Sequence, residues 1–221
     1  MRRMGVFLST GSVVGGGLHG ADRWGRVPVV NSETMAHRLG TTPHLSPLLM
    51  KARRLGLAVP EDLERLAVQR GLRYYGGPGD SDAFRDHKVD YGAGKAGNPA
   101  KHFSNEELAL ALLSPALVYS QHRVRLGAAM LSAKGNSPEK LARLARMERC
   151  ERAVHYIAKC GQRVEPGNRF WSDLLDHFPS VIEVDAYILP HITRFVAMTG
   201  ITRRGVETLM QWIRPSAVAT P

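Results

Sequence analysis

Apolar positions change their period several times along this chain, and each change marks a predicted element. Up to residue 42 they are scattered among glycines. The segments 6–8, 13–14 and 27–30 have the β-branched composition of short strands, and Pro28 would confine the last to a sheet edge. From Ser46 the spacing becomes helical: Leu45, Leu48, Leu49, Ala52 and Leu55 recur at three and four, and Gly56 stops the run. A second helix opens at Pro60, carries Glu61 and Asp62 at the positive end of its dipole, turns Leu63, Leu66 and Ala67 inward and closes at Gly71. The short connection predicts an antiparallel helical hairpin over 43–72.

Residues 73–102 are glycine-rich, polar and short of aliphatic side chains, which predicts a flexible loop or linker. Beyond it, Ser104 and Glu107 spell a capping box, with Phe103 and Leu108 placed as a hydrophobic staple. The stretch 108–113 is apolar on every side apart from its alanines, so the helix is expected to be buried and to end near Pro115. Another helix is predicted over about 121–131. Ser137 and Pro138 start a further one, predicted to run unbroken to Lys159 with Gly161 beyond its end. Along it Leu141, Leu144, Met147 and Cys150 form one row, and Arg143, Arg146, Arg149 and Arg152 another on the opposite side. In RFWSDLLDHF, Phe170, Trp171, Leu174, Leu175 and Phe178 are core candidates, and Pro179 ends the helix. The fold class is therefore mainly α: a multi-helix domain over 103–214, preceded by a small irregular N-terminal region (1–42) with room for strands. The tail 215–221 is expected to be disordered.

Charge adds a partner class. The 221 residues carry a formal net charge of +10, with a pI near 10.1, which favours acidic partners and above all DNA or RNA. No apolar run approaches the length of a membrane span. Cys150 and Cys160, ten positions apart on one predicted helix, would be separated by roughly 15 Å, too far for an intrachain disulfide; two reduced thiols suit a cytoplasmic protein. Arg2 and Arg3 echo a twin-arginine export signal, but glycines dilute the apolar stretch and no A-x-A site follows, so a leader or a short strand is expected.

Three motifs touch on chemistry. Gly15, Gly17 and Gly20 spell G-x-G-x-x-G, yet Gly25 and Pro28 leave no room for the helix that would hold a pyrophosphate. Gly92, Gly94 and Lys95 approach a phosphate loop, but Ala96 stands where a Ser or Thr is required. Asp80, Asp82 and Asp86-His87-Lys88 supply the acid and D-x-K elements of a Mg²⁺-dependent nuclease, without the apolar alternation that would position them. The histidines form no H-E-x-x-H or Cys/His grouping, so neither a metal nor a cofactor is expected.

The stretch 192–213, ITRFVAMTGITRRGVETLMQWI, reads as two short helices, one from Pro190 to Met198 and one from Arg203 to Ile213, with a turn at Gly200. Phe195 fills the inward slot of the first helix, Ile201 is the apolar turn residue, Thr202 a capping hydroxyl, and Val206 and Leu209 pack back. On these positions the segment resembles the helix-turn-helix of DNA-binding proteins, with departures at Val196, Thr199 and Gly205. The resemblance implies that Arg203, Arg204 and Thr208 face DNA, with Thr202 at the same helix end and Arg194 on the backbone. Cations in a first turn cost about 0.3–1 kcal/mol each, a penalty that phosphate would offset. Arg143 and Arg146 are expected to track phosphates. The expected function is non-enzymatic nucleic-acid binding. The alternatives are a helical protein-interaction or scaffold module and, third, the nuclease.

Overall fold

Hydroxyl and amide caps set most of the helix starts. A computed structural model describes residues 33–72, 99–181, 183–185, 187–201 and 208–215, all within the unit Ser32–Pro221. The strands suggested before residue 31, the glycine motifs, the nuclease residues Asp80, Asp82, Asp86, His87 and Lys88, and Thr202, Arg203 and Arg204 lie outside the described residues. The helices are α1 (Met35–Arg38), α2 (Pro47–Arg54), α3 (Glu61–Gln69), α4 (Asn105–Leu112), α5 (Gln121–Leu131), α6 (Pro138–Glu148), α7 (Glu151–Val164) and α8 (Arg169–Asp176). Thr34, Ser46, Ser104, Ser120, Ser137 and Asn168 each accept a backbone N–H of the helix they open. At α4 the capping box closes from both sides: Glu107 N–H donates to the Ser104 hydroxyl (3.2 Å), and Ser104 N–H to Glu107 (2.9 Å).

The protein is mainly α-helical. Apolar on nearly every side, α4 packs against α2, α3, α5 and α6, and its Leu108, Ala109, Leu110 and Ala111 are fully buried. It meets α5 at Gly127, where an added Cβ would lie 2.7 Å from Leu113 Cγ. One hydrophobic core takes side chains from both sides of residues 73–98: Met35 and Leu39 around α1, Leu48 and Leu49 of α2, Leu63 and Leu66 of α3, and Leu141, Ile157 and Trp171 of the later helices. Leu45, read as a core position, is 72% exposed because it precedes the Ser46 cap and lies off the helix.

Two expectations are corrected. The helix from Pro138 does not continue to Lys159; it ends at Glu148 and restarts at Glu151. Arg149 adopts a left-handed backbone (φ 53°), Cys150 N–H reaches back to Ala145 O (3.0 Å), and Arg149 N–H to Arg146 O (3.2 Å). That is a Schellman motif with arginine where glycine usually stands, which is why no breaker shows in the sequence. The break also splits the arginine row between two helices.

The second correction concerns 190–213. In place of a helix pair there is a short 3₁₀ turn (Ile192–Arg194) followed by an antiparallel pair, β1 (Val196–Ile201) and β2 (Thr208–Trp212). Val196 pairs with Trp212, Met198 with Met210 and Ile201 with Thr208, with a shift of register between Met198 and Ile201. Half of the segment is β-branched or aromatic, which disfavours helix, and tertiary anchors complete the choice. Trp212 stacks on Phe195 (centroids 5.4 Å) and meets Trp171 edge-on (4.9 Å). Arg214 grips Glu165, which also accepts the Trp171 indole N–H (3.0 Å).

Candidate functional site

Arginines in this fold divide into those that fasten it and those left facing solvent. Arg123, nearly buried, donates to Glu64 (2.9 Å) and to Val118 O (2.6 Å), tying α5 to α3. Arg38 lies over the Tyr119 ring (4.0 Å) and pairs with Glu33 (3.0 Å). Arg70 holds Asn105 and Phe103 O, and Arg152 donates to Leu39 O and Glu183 O. These four arginines fasten the fold to itself.

Of the residues expected to bind nucleic acid, Arg194 ends the 3₁₀ turn and is exposed. Its carbonyl accepts the Arg125 Nε–H (2.9 Å), which joins α5 to the entrance of the hairpin. Arg125 has its pKa lowered first by burial and then by the like charge of Arg194. Neither has an acidic partner among the described residues. Arg143 and Arg146 are exposed on α6, a helix that packs against α4 and α8. Arg146 donates to His177 O (2.6 Å) and lies near the Phe178 ring (5.7 Å). Thr208 opens β2, where its backbone pairs with Ile201; it does not stand on a recognition helix.

The structure thus places Arg125 beside Arg194 and leaves Arg143 and Arg146 on another helix. Arg125 carries no distinguishing mark in the sequence, since its neighbour Arg194 is distant in the chain. A heptad or motif search would pass over it for that reason.

A second feature adjoins the same segment. Between α7 and the chain at 183–192 lies a cavity of about 550 Å³, lined by Tyr156, Lys159, Cys160, Arg163, Glu183, Val184, Asp185, His191 and Ile192. Tyr156 donates its hydroxyl to Pro190 O (3.1 Å), fixing one wall. Burial is the main cause that pushes the Tyr156 phenol up to about 12 and the Cys160 thiol up to about 11. Both groups are therefore neutral at physiological pH, and Cys160 is a poor nucleophile. Lys159 pairs with Glu183, which holds that carboxyl below its ordinary range. The Thr193 N–H donates to His191 Nδ1 (3.4 Å), and the Thr193 hydroxyl lies 3.1 Å from the same ring nitrogen.

Among the described residues no group of three or more His, Cys, Asp or Glu side chains is placed to hold a metal ion, and no helix is long and apolar enough to cross a membrane. Comparison with protein-family models, with curated proteins and with solved structures gave no match. The functional reading therefore rests on the residues themselves.

Proposed function

We propose that the protein binds nucleic acid, DNA or RNA, through phosphate contacts centred on Arg125 and Arg194. The observation that carries this reading is the like-charged pair itself. Arg125 donates its Nε–H to the Arg194 carbonyl, so two cations from distant parts of the chain meet with no carboxylate partner among the described residues, and a phosphate would take the guanidinium N–H groups that this contact does not use. The net charge of +10 supplies the long-range attraction. Recognition by a helix is not part of this reading. A two-stranded ribbon is the other element that a major groove admits, and β1 and β2 have that form. Arg203 and Arg204 follow β1 in the sequence and add cations to the same part of the chain.

The test is a salt-titrated gel shift on the full chain, with duplex DNA and duplex RNA in parallel. Binding should weaken steeply with salt. Converting Arg125 and Arg194 together to Gln should lower the slope of log K against log[salt] by about 2, roughly one for each phosphate no longer neutralised. An unchanged slope removes the pair from the interface, and retention that ignores salt removes nucleic acid altogether.

A second reading, a helical protein-interaction module, draws on the joint between α2 and α6. Leu45 and Met147 are both exposed there (72% and 44%), flanking the contact between Ser46 and Glu148. Salt-tolerant co-purification with one protein partner, abolished in Leu45→Ser, is its signature.

A further inference from the structure

The cavity between α7 and the 183–192 segment carries charges of both signs, of which only two are joined in an ion pair. Of its four charged side chains, Lys159 and Glu183 neutralise each other at the rim. Arg163 and Asp185 remain. Neither makes an ion pair or a side-chain hydrogen bond among the described residues, and they do not pair with each other although they line the same space. The remaining walls are apolar or neutral: Val184 is buried, Ile192 and the Tyr156 ring are half-buried, and the Cys160 thiol is protonated. His191 completes the lining, its Nδ1 accepting the Thr193 N–H (3.4 Å).

A ligand that satisfies this lining needs an anionic end, a cationic end and an apolar body. We propose that the cavity binds a free α-amino acid with a large apolar side chain, its carboxylate on Arg163 and its ammonium on Asp185. The volume of about 550 Å³ lies within the range of small-molecule sites and far exceeds what one ordered water would occupy. A simple anion would leave Asp185 opposed to it, and a simple cation would leave Arg163 opposed. A zwitterion meets both charges at once. The Arg163 guanidinium offers the planar fork suited to a carboxylate.

The experiment is isothermal titration of the full chain with L-phenylalanine and L-leucine, set against N-acetyl-L-phenylalanine, which lacks the ammonium, and L-phenylalaninamide, which lacks the carboxylate. The free amino acid should bind, and each blocked analogue should bind at least about tenfold more weakly, a loss of about 1.4 kcal/mol or more. Asp185→Asn should erase the preference for the free ammonium, and Arg163→Gln the preference for the free carboxylate. Both side chains are exposed, so folding should be intact, as far-UV circular dichroism will verify. The proposal is overturned if no heat appears up to about 10 mM ligand. Equal binding of all three phenylalanine compounds, or preferences unchanged in both variants, overturns it too. The nucleic-acid titration involves neither Arg163 nor Asp185, so either reading can fail without the other.

Discussion

The helix Asn105–Leu112 and the hairpin Val196–Trp212 reach their structures by opposite routes. In α4 every local signal agrees with the final state: a capping box at the start, a staple at Phe103 and Leu108, and an all-round apolar surface that only a core can receive. In the hairpin the local signals conflict. Gly200, a capping threonine and inward-spaced apolar residues suggest two helices, whereas the density of β-branched and aromatic residues suggests strands. Trp212 decides the matter by packing between Phe195 and Trp171, an arrangement that spans α8 and the end of α7. A locally specified element tolerates the removal of a distant neighbour; an element specified by its anchors does not.

The sharpest way to break this contrast is Trp212→Ala. Removing so large a buried ring should cost about 3–5 kcal/mol in a denaturant titration. Amide exchange should quicken first in Val196–Ile201 and Thr208–Trp212 while Asn105–Leu112 stays protected. Equal deprotection of both would show that the two regions are one cooperative unit. Next in size is Gly161→Ala on α7, where the new Cβ would stand 2.3 Å from the Trp171 ring. That ring is held by its hydrogen bond to Glu165, so overpacking of about 1–3 kcal/mol should exceed any gain in helix propensity. Gly127→Ala in α5 is the milder case. Its new Cβ would lie 2.7 Å from Cγ of the fully buried Leu113 and 3.3 Å from Ala109 O, so overpacking should outweigh a propensity gain of about 1 kcal/mol by a smaller margin.

Capping offers a gentler probe. Ser104→Ala should cost about 1 kcal/mol by thermal or chemical denaturation, because it strips the acceptor from Glu107 N–H. Arg149→Gly should move stability the other way, by about 0.5–1 kcal/mol, since glycine reaches φ 53° without Cβ strain. A loss there would mean that the Arg149 side chain contributes more than its backbone costs.

The smallest effect is with pH. His44 and His155 have their pKa values lowered chiefly by burial, with Arg149 and Lys159 respectively adding to the shift. A base whose folded pKa is depressed is fully stabilising above its unfolded value, about 6.5, and loses that contribution as pH falls below it. Stability should therefore decline modestly from about pH 7 to about pH 5, and replacing His155 by Gln should flatten part of the decline. The Glu148 carboxyl runs the other way. It is buried against Ser46 and Leu48 N–H, and desolvation raises its pKa, so its contribution is complete only at lower pH, below the carboxylate range.

These residues also show how much is legible in the sequence. Starts and stops made by side chains next to the backbone they cap are readable: Ser46, Ser104, Ser137, and the glycines after α2 and α3. The Arg149 break is hidden because it uses a residue with no turn preference. Arg194 stands out in the sequence through a helix that does not form, and its true neighbour Arg125 comes from another element altogether. Sorting arginines into fasteners and free cations is equally hidden, because composition counts charges without their partners. The cavity has no linear signature, since its walls are contributed by residues some thirty positions apart.

By itself the sequence determined the helical class, the capped helix boundaries, the apolar character of α4 and the cationic balance, all of which depend on groups within a turn or two of one another. Only the tertiary structure decided that 192–213 is a ribbon, that α6 and α7 are separate helices, and which cations stand in water. Those outcomes turn on contacts between residues far apart in the chain, such as Trp212 with Trp171, and on a left-handed backbone at Arg149 that no local preference signals.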